Sequence, residues 1–572
     1  MTVSGLLYSQ VGYDLGLPMR AVVRGSDPDH VPEGARFAVC REPGSGDPVV
    51  SGEVSYWGET WRSHWWIVDF STLAAPGSYV LLVTGANGSP ELFRSEPFRV
   101  GENLVWDETV HAVAIEQFEE RARLARNGVG WKDCGSNWRE CNSHASAIIG
   151  LDQLLSLGYE WLSTDQVERI RAQLVHGCDY LAILQDTSES VCGTRGAFVH
   201  EIPNHLVLIP GDTAQSAVAL AYSGRLLADT RPQKASEYID RARRAVDYLL
   251  LEAQPYGGQG FSAMNHGAPE DFVVPDEFMT RDLAMMMWGC AELCAAGHPA
   301  YRRHAVRLAR EVMDRQVPEE RAEGGSDGDR RNPRLWGHFS TFSSAGFTEK
   351  ANCHHHVGHD TGTTFPHFIA PMVDMARRWH DHPDAGLWRE CVRRFVHGYL
   401  VPACRANPFL LLPEGYFAGE GLLSFCGPWH GINSSYGLAA VLALECMSAA
   451  DPGDRGALLE IAIGNLQWIC GLHAGITRRS FDGCVLWKDE VPDGAAVPYS
   501  QIFGVGRRWT GNWTGIRGTV PNGFDVNPQF QLAVKPSREV DAPLLYTDED
   551  WIPHGAAFVA GLATLRAHRR FA

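Results

Sequence analysis

The hydrophobic pattern changes its period once along the chain. In the first hundred residues apolar and β-branched positions come in short runs, Arg20 to Val23, Arg36 to Cys40, Trp65 to Phe70, Ser78 to Val83 and Pro97 to Val100, separated by Gly, Pro, Asp and Ser. Runs of this length bounded by turn residues predict the strands of a small all-β sandwich. From Trp106 onward apolar residues recur at helical spacing instead. Twelve helices are predicted, beginning near Asp107, Cys141, Asp165, Asp212, Ala235, Arg281, Tyr301, Thr363, Gly386, Ser434, Arg455 and Trp551. Ile170, Leu174, Cys178 and Leu181 line one face of the third, and Leu283, Met286, Met287, Cys290 and Cys294 one face of the sixth. Asp212-Thr213 reads as a side-chain cap for the fourth. The change of period falls at Gly101 to Asn103, which divides the chain into a sandwich over 1–102 and a helical module over 103–572.

Twelve consecutive helices without strand runs between most of them pair into six hairpins, and six hairpins close into an all-α (α/α)6 barrel. The connections 253–280, 316–362, 402–433 and 472–550 are long and dense in Gly, Pro, Trp and His. Loops of that length in a compact module are usually functional. On a closed barrel they gather at one end and form a cleft there.

Composition narrows the partners. A formal net charge of −18 disfavours nucleic acid, polyanions and anionic membrane, which need a basic footprint, and points to a neutral ligand. Eighteen Trp supply rings with an apolar face and a polar handle, suited to packing against sugars as well as to a core. The N-terminus shows no basic segment followed by an apolar run, and no stretch is long and apolar enough to span a bilayer, so a cytoplasmic location is expected. The 14 Cys have no paired spacings and read as buried reduced thiols. The Gly-rich phosphate loops and the Gly-x-Ser-x-Gly elbow are missing, which removes nucleotide-dependent and serine-hydrolase readings.

Three motifs carry candidate chemistry. Leu6-Leu7-Tyr8-Ser9-Gln10-Val11-Gly12-Tyr13 opens the chain, Gly130-Trp131-Lys132-Asp133-Cys134-Gly135-Ser136 lies just inside the helical module, and Tyr546-Thr547-Asp548-Glu549-Asp550-Trp551 precedes the last helix. Together they resemble glycoside hydrolase family 9, in which an immunoglobulin-like module leads into an (α/α)6 catalytic barrel. The resemblance implies a divergent member. Its Gly-Trp-x-Asp-Ala-Gly-Asp segment matches residues 130–136, with Asp133 kept and the second Asp, the family's usual base, replaced by Ser136. The spacing of its closing helix places the acid on Glu549, and Gly555 stands where the family has Asn. Inverting glycosidases need such a pair, one carboxyl protonating the leaving oxygen and one carboxylate activating water on the opposite face. The resemblance also implies a carbohydrate substrate and requires no cofactor, although a structural calcium ion is compatible with it.

Polar and aromatic residues near predicted helix starts or within the long loops complete the candidate list. Trp131, Ser136, Trp138, His200, His205, His355, His356, Trp429, His430 and Tyr436 are expected to contact substrate. Cys353-His354-His355-His356 with His359 and Asp360 is the densest group of metal-ligand types, and is read as cleft lining because adjacent loop residues rarely converge on one ion. Three functions remain open from these residues: an inverting glycoside hydrolase of a soluble or modified oligosaccharide, a lyase or other chemistry on the same barrel, and a sugar-binding protein without turnover. The oligomeric state leaves no mark in the sequence.

Overall fold

The structure, a computed structural model, describes residues 3–43, 46–86, 90–134, 139–203, 205–255, 276–326, 328–340, 342–343, 369–413, 415–417, 422–424, 432–478, 491–509, 511–523 and 549–571. The first module holds ten strands, β1 (Gly5–Leu7), β2 (Tyr13–Asp14), β3 (Arg20–Gly25), β4 (Arg36–Arg41), β5 (Val50–Glu53), β6 (Ser55–Thr60), β7 (Ser63–Asp69), β8 (Gly77–Thr84), β9 (Glu91–Arg94) and β10 (Phe98–Gly101). They form two sheets, ordered β1-β3-β7-β6 and β2-β10-β8-β4-β5, with β9 also on β8. The five predicted runs are the inner strands β3, β4, β7, β8 and β10. The rest are short or exposed: β6, Ser55–Thr60, has no buried residue and so no apolar signature to read.

Alternation along β3 and β7 serves two cores at once. Ala21, Val23, Trp66 and Val68 point into the sandwich with Tyr13, Phe70, Tyr79 and Phe98. Val22 and Trp65, on the other face, belong to the core of the helical module. The Trp65 ring meets Phe409 edge-on at 5.3 Å, and Phe409 meets Trp468 at 5.1 Å. Arg20 and Arg24 donate across the joint to the carbonyls of Phe409 and Ala474 at 3.0 and 2.9 Å. A sheet face that buries Trp against the barrel fixes the first module as a brace.

Twelve helices follow among the described residues: α1 (104–124), α2 (Cys141–Gly158), α3 (Thr164–Val191), α4 (Pro210–Leu227), α5 (Pro232–Leu251), α6 (Thr280–Ala295), α7 (Arg302–Met313), α8 (Ala370–Arg378), α9 (385–404), α10 (Ile432–Cys446), α11 (Arg455–Ile469) and α12 (Ile552–Phe571). The even-numbered helices pack in a closed ring, α2-α4-α6-α8-α10-α12 and back to α2, and the odd-numbered ones lie outside it. This is the (α/α)6 barrel. Burial explains the sorting. α2 buries every residue from Cys141 to Leu155, whereas α5 buries only the stripe Ala235, Tyr238, Ala242, Ala245, Val246 and Leu249. Inner helices touch backbone to backbone where side chains vanish: a Cβ on Gly437 of α10 would sit 2.5 Å from the carbonyl carbon of Ala557 on α12.

Connections from inner to outer helices are short, and those from outer to inner helices are long. All six long ones therefore meet at the end of the barrel where the inner helices begin. One predicted cap is corrected here. α4 starts at Pro210, whose fixed φ and missing N–H suit a first helical position, and has no side-chain cap; Asp212 is turned instead to His200. The described cysteines are all free and mostly buried, and no described helix is long and apolar enough to cross a membrane.

Candidate active site

The loop after α1 turns back over the barrel mouth and delivers Asp133 to the start of α2. Its carboxylate is fully buried. Oδ2 accepts from the Ser143 hydroxyl at 2.6 Å and from the Glu140 N–H at 2.9 Å, and Oδ1 has no hydrogen-bond partner among the described residues. Burial pushes the carboxyl up to about 7, against the lowering effect of Ser143, Glu140 and the Arg121 charge; the charge of Glu549 pushes it up as well.

Glu549 arrives from the other end of the module, just before α12. It is half-buried and held by Asn522, whose side-chain amide donates to Oε2 at 2.9 Å and whose N–H donates to the Glu549 carbonyl at 2.6 Å. Asn522 is tied in turn to the start of α10, where the Asn433 N–H donates to its carbonyl at 3.1 Å and the Asn433 side chain reaches the Pro521 carbonyl at 2.8 Å. Asp550, fully buried, accepts from the Thr514 hydroxyl and N–H, and burial holds its carboxyl above the ordinary range. The Ile552 N–H donates to the Asp133 carbonyl at 3.1 Å, joining the two carboxyl-bearing segments directly.

Neighbouring imidazoles are locked neutral. His144 accepts from the Trp131 N–H at 3.0 Å through Nε2 and lies 2.8 Å from the Glu140 carbonyl through Nδ1, which fixes the proton on Nδ1. Burial lowers both His144 and His554 to about 3. Neither imidazole therefore takes up a proton near neutral pH.

The predicted substrate contacts divide sharply. Trp131 is fully buried, stacked 5.4 Å from His144 and edge-on 5.0 Å from Phe118, with its indole N–H on Gln173; the ring has no exposed face for a sugar. Tyr436 is likewise buried, packed edge-on against Trp468. His200 is buried with Nδ1 2.8 Å from Asp212 Oδ2. All three rings that the sequence offered as platforms are buried, Trp131 and Tyr436 among other rings and His200 against Asp212. The backbone of His205 lies opposite Glu201, across the hairpin of β11 (Val199–Glu201) and β12 (His205–Leu208). Ser136, Trp138, His355, His356, Trp429 and His430 lie outside the described residues, as does the His354–Asp360 cluster. Three residues that the sequence did not single out join the mouth with Asn433: Arg121, Asn522 and Thr514. Beside Thr514 stands Trp513, whose side chain is partly exposed.

One group of metal-ligand types occurs among the described residues, His397, Asp451 and Asp454, with ligand atoms within 4.8 Å of one another. It lies at the barrel end opposite the mouth. His397 binds Asp454 at 2.9 Å and Asp451 binds Arg393 at 3.1 Å, so the group satisfies itself without an ion.

No protein-family model matches the sequence, and no curated protein matches it. The structure is similar to a metagenome-derived glycoside hydrolase family 9 endoglucanase, at 17% identity over 99% of each chain with a TM-score of 0.63. The fold is that of glycoside hydrolase family 9. A GH9 protein of Bacteroides ovatus shares it at 14% identity over 98% of each chain, TM-score 0.60. So does AaCel9A, solved with a cellobiose-like isofagomine, at 16% identity over 98% of this chain and 99% of that one, TM-score 0.57. At Gly555 a Cβ would come 2.1 Å from Gln117 Nε2.

Proposed function

We propose that the chain is an inverting glycoside hydrolase acting on a soluble or modified oligosaccharide, with Glu549 as general acid and Asp133 as the base that activates water. The observation that carries this reading is the meeting of Asp133 and Glu549, from opposite ends of the helical module, close enough that the Glu549 charge raises the Asp133 carboxyl. A base serves best when it titrates near the working pH, and Asp133 does so at about 7. The two carboxyls share no hydrogen bond, since Asp133 Oδ2 is taken by Ser143 and Glu140. Oδ1 is the oxygen left to hold a water. Fixing Oδ2 fixes the direction of Oδ1, which is what positioning of a nucleophile requires.

The similar structures support a carbohydrate substrate, since one is an endoglucanase and another holds a cellobiose-like isofagomine. Reduced cysteines are consistent with a cytoplasmic setting. Ser136, in place of the family base, favours a second reading, a barrel that binds sugar without cleaving it. A panel of aryl glycosides and oligosaccharides decides between them. Turnover that Glu549→Gln and Asp133→Asn each abolish, with both variants folded, supports the hydrolase; calorimetric binding without product supports the second.

A further inference from the structure

Arg121, in the last turn of α1, is fully buried beneath both carboxyl-bearing segments. Its guanidinium donates through Nη1 to the carbonyls of Lys132 at 2.8 Å and Asp133 at 2.7 Å, through Nη2 to the Asp550 carbonyl, and through Nε to Gln117 Oε1 at 3.3 Å. Every acceptor is neutral. The buried cation makes no ion pair within 4.0 Å among the described residues, and its charge is balanced through space by the carboxylates of Asp550 and Asp133. Burying an arginine against carbonyls alone is costly and adds little that an apolar side chain would not supply. The planar fork does, however, give something no apolar residue gives: two fixed directions that bind two segments at once.

We propose that Arg121 is a positioning residue for the reaction, one that sets the spacing of Asp133 and Glu549 by binding the backbone carbonyls of Asp133 and of Asp550, the residue next to Glu549, while its charge lies beside the Asp133 carboxyl. The inference rests on the reading of those two carboxyls as base and acid. The groups that face Arg121 are Asp133 and Cys134 on the loop before α2, Asp550 and His554 at the start of α12, and His144 on α2, while Glu549 acts on Asp133. Both histidines are held neutral, down to about 3, so neither of them takes over if Arg121 is lost. Its charge lowers Asp133 and Asp550 alike. Gln117 anchors the fork, and Gly555 leaves the space in which Gln117 lies.

The test separates fork from charge. In Arg121→Gln both are lost: kcat falls about 100-fold, as for a reacting group displaced by an ångström, and the acid limb of the pH profile moves up by about one pH unit. In Arg121→Lys the charge stays and the fork is lost, so kcat falls about 10-fold while the acid limb stays in place. Identical behaviour of the two variants, or a folded Arg121→Gln with an unmoved limb, overturns the proposal. If Arg121→Gln does not fold, Arg121→Lys decides alone, and wild-type kcat in it is the contrary result. Asp133→Asn and Glu549→Gln run beside them: wild-type turnover in those two overturns the hydrolase reading itself, whereas inert carboxyl variants beside unperturbed Arg121 variants overturn only the role of Arg121.

Discussion

Ser143→Ala removes one atom, the hydroxyl that donates to Asp133 Oδ2 at 2.6 Å. Both groups are fully buried, so no solvent replaces the lost donor. A hydrogen bond to a charged group contributes about 1.5–3 kcal/mol, and about 1.4 kcal/mol moves a titration by one pH unit. The Asp133 carboxyl, already at about 7, is therefore expected to rise by about one to two pH units in the variant. At pH 7 the wild type holds about half of this base ionised, and the variant about a tenth or less. Activity at pH 7 falls accordingly, about fivefold or more, and recovers toward the wild-type plateau as the pH is raised. The assay is kcat/KM across pH on the best substrate of the panel, with thermal unfolding as a control for the fold. A loss of activity uniform across pH, or an acid limb that does not move, refutes Asp133 as the titrating base.

Asp282, buried near Asp212, is pushed up to about 8. A raised carboxyl favours the folded state below the ordinary carboxylate range and loses that contribution as pH rises through 8, so Asp282→Asn should raise Tm more at pH 8 than at pH 5. Equal changes in Tm at the two pH values count against it. Gly437→Ala places a Cβ 2.5 Å from the Ala557 backbone and should cost about 1–3 kcal/mol in denaturant unfolding, whereas an unchanged midpoint contradicts the tight α10–α12 contact. Trp513, next to the Thr514 that binds Asp550, should stack on substrate: adding Trp513→Ala to Glu549→Gln weakens oligosaccharide binding about tenfold by calorimetry, and unaltered affinity removes Trp513 from the cleft.

Some of this molecule is legible in its sequence for a physical reason. The outer helices α5 and α7 are striped because each has water on one side, and the inner helices are read from their length and from the long connections that precede them. Helix starts shifted where proline, not a polar cap, begins the helix, as at Pro210 and Pro232. Asp133 and Glu549 stand out as candidates because their motifs keep chemistry and spacing together. Arg121 was not, since it lies in the run Glu119-Glu120-Arg121-Ala122-Arg123, which reads as a solvated charged face. In the structure Arg123 does pair with Glu120 at the surface, while Arg121 on the same helix is fully buried. Trp131 shows the converse: a tryptophan beside a candidate motif has the same sequence signature whether it stacks on a sugar or on His144. Asn522 and Thr514 act through contacts that no local pattern marks.

The central claim is that Glu549 and Asp133 together hydrolyse a glycosidic bond with inversion. Proton NMR of the first minutes of a reaction reads it most directly, by the anomer of the sugar released before mutarotation. The account predicts a product of configuration opposite to the substrate's, formed by the wild type and absent with Glu549→Gln. A product of retained configuration, an unsaturated sugar, or undiminished release by Glu549→Gln contradicts it.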